Sequence, residues 1–258
     1  MRARTAIAKR LTLSGRQVRR ILDLSGGVLP PGFGPGQVPG VGDEEDAALL
    51  ELGVLHEDGS LAPELALDLS LLATSQVSIE VCIDLPAGRQ TAWLSVVEPW
   101  GMALVALADD GVEWSVFAAT DLGLELIRLV PELSDPEAGD PLEPAQFPLA
   151  VMAQVIIPTA LDGDQSKKDW ATYSQALVGQ GRFTVIGRSA EGPFVGLTLW
   201  YASNRGWIGV REVNSTVDDG PIMELIPVRA SDIGTWLAGN IARAMSLATS
   251  QESGGADE

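Results

Sequence analysis

Two segments of this chain, TDLGLEL at 120–126 and SDIGTWL at 231–237, share the pattern Thr/Ser-Asp-Leu/Ile-Gly-x-x-Leu and lie 111 residues apart. Each closes a run of β pattern and opens a helical one. Upstream of the first, QVSIEVCIDL (76–85) alternates, with Val77, Ile79, Val81, Ile83 and Leu85 on one face and Ser78, Glu80, Cys82 and Asp84 on the other. PAGR turns it into QTAWLSVVEP, then MALVALADD, then VEWSVFAATD, four strands joined by tight connections. Upstream of the second, GRFTVIGRSA, PFVGLTLWYA, GWIGVREV and PIMELIPVRA repeat that layout. The expected architecture is therefore α+β. It is a duplicated four-stranded antiparallel meander plus helices within one domain spanning 1–258, with internal halves at about 43–133 and 147–250.

Local chemistry accounts for the wording of the repeat. Thr120 or Ser231 can accept from the orphan amides of a first helical turn. Asp121 or Asp232 sets a negative charge at the positive end of the helix dipole. Gly123 or Gly234 costs about 1 kcal/mol of helix propensity against alanine, which points to close packing of helix on sheet.

The other segments are organised around these meanders. GGVLPPGFGPGQVPGVGDEED (26–46) is a Pro/Gly-rich loop whose terminal acids suit the start of a helix near Asp43. That helix runs through DAALLELGVL, and a second follows with Pro63 in its first turn. Residues 131–148 read as an exposed connector, and FPLAVMAQVII and SKKDWATYSQALV as helices. Residues 1–12 and 251–258 read as flexible ends.

The net charge is −18, yet residues 1–20 carry seven basic groups and no acid, leaving 10 basic against 35 acidic residues, a net −25, in the remainder. So acidic a body repels phosphate backbones, and nucleic acid is not an expected partner of it. The N-terminal segment nevertheless fits a second pattern. IAKRLTLSGRQVRRIL (7–22) has the apolar spacing of a two-helix DNA reader, with arginines at contact positions. A DNA-binding regulator is thus the alternative function. The same residues also fit a single amphipathic helix at Leu13–Leu24, with Ser14 near its start and Val18, Ile21 and Leu22 buried.

Catalytic signatures are sparse. His56 is the single histidine and lies in a turn, so a histidine metal cage cannot form. Cys82, the single cysteine, falls mid-strand, where a buried structural thiol is expected. There is no nucleophile elbow or phosphate loop. Asp162 and Asp164 open a calcium-like loop that lacks its glycine and its closing glutamate. No enzyme activity, metal or cofactor is expected. No run of apolar residues is long enough to span a bilayer, and one cysteine excludes an internal disulfide, so the expected location is the cytoplasm.

The order of segments resembles the EspG family, the secretion-associated proteins of actinobacterial type VII (ESX) systems. LTLSGRQVRRILDLSGGVLPPGF resembles that family's opening helix and following loop. LLELGVLHEDGSLAPELALDLSLLA resembles its next two helices, and VFAATDLGLELIRLVPEL the end of its first meander. GRFTVIGRSAEGPFVGLTLWYASNRGWIGVREV and the last helix resemble its second half. The resemblance implies a quasi-twofold central antiparallel sheet flanked by helical bundles. It also implies a cytosolic chaperone for helical secretion substrates, PE–PPE-like or WxG-like, binding through the sheet and the C-terminal helices. Monomer and homodimer both fit.

The last helix, Ser231–Thr249, carries an apolar stripe wider than one sheet contact requires. Trp236, Asn240, Arg243 and Leu247 lie on its surplus side and are candidate partner-binding residues, because tryptophan and arginine anchor interfaces. Trp100, in the short connection at Pro99–Gly101, completes the set.

Overall fold

A computed structural model describes residues 9–33, 42–107, 110–133, 140–153, 165–188, 192–213 and 220–254. The order is β1 (Lys9–Leu13), α1 (Gly15–Ser25), α2 (Asp43–Glu51), α3 (Pro63–Thr74), β2 (Val77–Leu85), β3 (Gly88–Val97), β4 (Trp100–Ala106), β5 (Val112–Ala118) and α4 (Leu122–Leu129). Then follow β6 (Ala145–Pro148), α5 (Leu149–Met152), α6 (Gln165–Ser174), β7 (Leu177–Gly187), β8 (Phe194–Ser203), β9 (Gly206–Val213), β10 (Ile222–Val228) and α7 (Ile233–Gly254).

Among the described residues, ten strands form one antiparallel sheet in the order β1-β5-β4-β3-β2-β7-β8-β9-β10-β6. Both meanders are present, and they meet edge to edge through β2 and β7, with Val81 opposite Phe183 and Ile79 opposite Val185. The joint removes an exposed edge from each meander. Each half also carries a strand that the alternation did not announce. β1 adds to β5, and β6 adds to β10, each preceding its own meander in the chain. β1, at Lys9–Leu13, precedes the first expected half, and β6, at Ala145–Pro148, lies at the start of the second.

One sheet face is covered by α4 and α7. Val77, Ile79, Val81 and Ile83 are buried there with Phe183, Val185, Trp200, Leu126 and Leu237. Among the described residues, the opposite face is covered at its two ends only. On the β1 side, α1, α2 and α3 bury Val18, Ile21, Leu49 and Leu65 against Leu13, Met102, Leu104 and Trp114. On the β6 side, Phe147, Val151 and Trp170 pack on Ile208 and Leu225.

Several expectations need correction. Residues 9–12 are not a flexible end, because they pair with β5 from Lys9 opposite Val116 to Leu13 opposite Val112. α7 extends to Gly254, so 251–254 are helical. Residues 145–148 are a strand rather than connector, and only Leu149–Met152 of FPLAVMAQVII is helical among the described residues. The last residues of SKKDWATYSQALV belong to β7. Met1–Ala8, part of the Pro/Gly loop and the Asp162–Asp164 stretch lie outside the described residues.

The two-helix DNA reader does not form, since Leu11–Leu13 is β strand and only Gly15–Ser25 is helix. Its arginines are engaged internally: Arg16 with Glu45 at 3.2 Å, Arg19 with Asp23 at 2.9 Å and Arg20 with Asp46 at 2.6 Å. Ser14 instead caps α1 through a reciprocal bond with Gln17, and Val18 and Ile21 are buried.

The repeated motif also works differently from its sequence. Thr120 and Ser231 cap nothing. Both fall in short 3-10 turns, Ala119–Asp121 and Ala230–Asp232, that lead into α4 and α7. Asp232 accepts from the Arg229 amide at 2.9 Å. The glycines pack helix on helix, because a Cβ on Gly234 would lie 3.8 Å from the Gly123 Cα. The two copies of the motif meet each other where α4 passes α7.

Candidate functional site

The site is best built from what covers the sheet and what does not. On the α7 face, three glycines from successive strands make room for the helix. A Cβ at Gly187 would lie 2.7 Å from Ala244 Cβ, one at Gly196 would lie 2.6 Å from the Asn240 side chain, and one at Gly209 would lie 2.5 Å from the Trp236 ring. α7 thus crosses β7, β8 and β9 diagonally in a trough that only glycine leaves open.

This trough decides where most of the sequence candidates lie. Trp236 is half-buried over Gly209 and meets Trp200 edge-on at 5.9 Å. Asn240 sits on Gly196 and donates to Thr198 Oγ1 at 3.4 Å. Arg243 is exposed, with its guanidinium 5.1 Å from the centre of the Phe194 ring. Leu247 is half-buried. The surplus breadth of the α7 stripe therefore includes contacts to strands on which glycine lets the helix sink.

The opposite face has a gap. Strand parity places Ser78, Glu80, Cys82 and Asp84 of β2 on it, together with Arg182, Thr184 and Ile186 of β7 and Val195, Leu197 and Leu199 of β8. α3 packs against β3 and β4 on one side, and α6 against β6 on the other. Val195 and Leu197 are each 60% exposed. On β2, Ser78 and Cys82 are 7% and 2% exposed, so the open part lies over β7 and β8, roughly 5–10 Å across at a strand separation of about 4.8 Å.

Trp100, 40% exposed, lies on this same face. It pairs with Val97 at the end of β3 and lies in the cross-strand row that contains Gln76 and Arg188. Of the sequence candidates, it is the one on the uncovered face. Sequence reasoning missed Val195, Leu197, Arg182 and Arg188. The signal was present in PFVGLTLWYA: β8 is apolar at both parities, Val195, Leu197 and Leu199 on one side and Phe194, Trp200 and Ala202 on the other. Such a strand asks for a cover on both faces.

Cys82 is 2% exposed and accepts from the Arg89 guanidinium at 2.9 Å. His56 is exposed in its turn. A cavity of about 460 Å³ at the start of α7 is lined by Arg205 and Arg229 but also by Glu132 and Asp232, so its charges balance. No described helix is long and apolar enough to cross a membrane.

No family model matches the sequence, and neither does any curated protein. The fold does match a solved structure, that of the Mycobacterium tuberculosis type VII secretion system chaperone EspG5 in complex with the PE25–PPE41 dimer. The TM-score is 0.60 over 88% of this chain and 94% of that one, at 10% sequence identity. The chain has an EspG-like fold.

Proposed function

We propose that this chain is a non-catalytic cytoplasmic chaperone or adaptor for a helical client of a type VII secretion system, a PE–PPE-like or WxG-like protein. The observation that carries this reading is an apolar strip over β7 and β8, left open by the described helices, on an EspG-like fold. Val195 and Leu197 lose free energy by facing water, and burying such a side chain fully returns about 1.5–3 kcal/mol. A helical client laid between α3 and α6 would complete the layer. The similar EspG5 is itself seen in complex with a PE–PPE dimer. α7 offers a second contact, at Arg243 and Leu247 on the same end of the sheet as Arg188 and Trp100.

The test is co-expression with helical proteins encoded beside this gene, followed by co-purification. Leu197→Glu should fold normally by circular dichroism and lose the client, because it places a charge in the strip and removes no core packing. If Leu197→Glu retains the client while Trp236→Ala with Arg243→Ala folds and loses it, docking lies on α7. Retention by both variants would overturn both surfaces. Light scattering distinguishes monomer from homodimer.

A further inference from the structure

Seven arginines among the described residues are used internally. Arg10, Arg16, Arg19, Arg20, Arg89, Arg128 and Arg211 all lie in ion pairs. Arg182 and Arg188 are exposed and form no ion pair with a described residue. Both sit on the uncovered face. Arg182 lies opposite Cys82 in the β2–β7 register, and Arg188 follows the end of β7, its amide donating to Gln76 O at 3.4 Å.

Between the two arginines are Thr184 and Ile186, and beside these on β8 are Leu197 and Val195. The strip thus runs cation, apolar patch, cation. Six residues of strand separate the arginines by roughly 20 Å, the length of about 13 residues of helix. The acids on the strip are on β2. Asp84 is held by Arg89 at 3.5 Å, and Glu80 is half-buried opposite Thr184.

We propose that Arg182 and Arg188 select the client: the strip takes an apolar helical surface that bears carboxylates at both ends of its contact. This rests on the docking reading above and adds the chemistry of the partner. The protein as a whole, at −18, repels an acidic partner. An acidic helix gains only where cations are local, and the screening length of about 8–10 Å confines that gain to the strip. Arginine suits the task because its fork engages a carboxylate through two parallel bonds. A helix with bare apolar ends leaves both guanidinia unmatched, and a basic one sets like charges against them.

The probes are two synthetic 18-residue helical peptides with the same leucine face, one carrying glutamates and the other lysines at both ends of that face. Each is titrated into the full chain labelled at its Ile, Leu and Val methyl groups. The glutamate peptide should shift Ile186, Val195 and Leu197 and bind about tenfold more tightly than the lysine peptide. Arg182→Glu with Arg188→Glu should invert that preference, and Arg182→Gln with Arg188→Gln should abolish it. Both substitutions are at exposed positions, and the remaining methyl spectrum reports whether the fold is retained. If the lysine peptide moves the same methyls with equal or higher affinity, the strip docks helices without arginine selection, and only this proposal falls. If neither peptide moves them, both the selection and the docking reading fall.

Discussion

Glu125 and Trp236 occupy the same place in the two copies of the repeated motif, each two residues after its glycine, yet they seal the helix against the sheet by opposite means. Glu125, 5% exposed, bonds Arg10 at 3.1 Å and Arg128 at 2.9 Å, and Arg128 reaches on to Glu113 at 2.8 Å. That network joins β1, β5 and α4. Trp236 lies on Gly209 and Trp200, and the seam is apolar. Glu113 and Glu224 are likewise 111 residues apart, with side chains 20% and 19% exposed. Glu224 instead pairs with Arg211 at 2.6 Å and accepts from Gln146 of β6 at 3.3 Å. Those bonds hold its carboxyl below the usual range. One frame thus accommodates an ionic seam and an aromatic one. Carboxylates meet guanidinia in one half, and a half-buried ring lies on Gly209 and Trp200 in the other.

Trp236→Ala should be the most damaging change. Removing a half-buried indole and leaving a void over Gly209 should cost about 3 kcal/mol, a fall in melting temperature of roughly 6–12 °C for a chain of this size. A loss under about 1 kcal/mol would show that the second seam is not held by this ring.

Arg128→Ala comes next. It leaves two partly buried carboxylates to Arg10 alone and should cost about 2 kcal/mol by denaturant unfolding. Arg128→Lys should recover part of this, since a lysine keeps the charge but not the fork. Equal losses for both would mean that geometry, not charge, holds the ionic seam.

The glycine contact tests whether the halves depend on each other. Gly123→Ala and Gly234→Ala should each stabilise by up to about 1 kcal/mol of helix propensity, since a Cβ at Gly123 meets nothing within 4 Å and one at Gly234 meets only the Gly123 Cα at 3.8 Å. The double variant should be additive within about 0.5 kcal/mol, because only the Gly234 methyl faces the other helix. A shortfall of about 1 kcal/mol or more would place the helices closer together than described.

The smallest effect concerns the outer helices. α1 and α2 are tied by charge. Hydrogen bonding from the Gly42 amide, and then Arg16, holds the Glu45 carboxyl below its usual range, and Arg20 does the same for Asp46. Depressed carboxylates stabilise the fold above their unfolded values, and that contribution is lost as pH falls through the folded ones. The α1–α2 contact should therefore weaken below about pH 4. The Phe147–Trp170–Tyr173 cluster, with ring centroids 5.2–6.4 Å apart, contains no carboxylate. Hydrogen exchange at pH 3 against pH 7 should show amides of α1 and α2 losing protection before those of α6. Simultaneous loss would remove the distinction.

The meanders were legible because alternation is a local property: a strand with Val77, Ile79, Val81 and Ile83 at every second place can bury only that face. β1 and β6 were not, since strands of five and four residues are too short for periodicity to register, and their pairing depends on partners about 100 and 80 residues away. The basic segment Arg16–Arg20 suggested a ligand for the same reason. The acids that neutralise it on α2 lie some 26–29 residues further on.

Residue order alone determined the two meanders, the helix after each and the capped start of α1. All of these follow from interactions within a few positions along the chain. Tertiary structure decided how Trp236 and Asn240 are used, because only the glycines at 187, 196 and 209, brought side by side by strand pairing, let α7 sink onto the sheet. It also decided that one apolar face of β8 lies open with Arg182 and Arg188 beside it. A side chain's periodicity states that it needs a cover. Whether a cover arrives depends on where every other helix has been placed, and here none of the described helices reaches the strip.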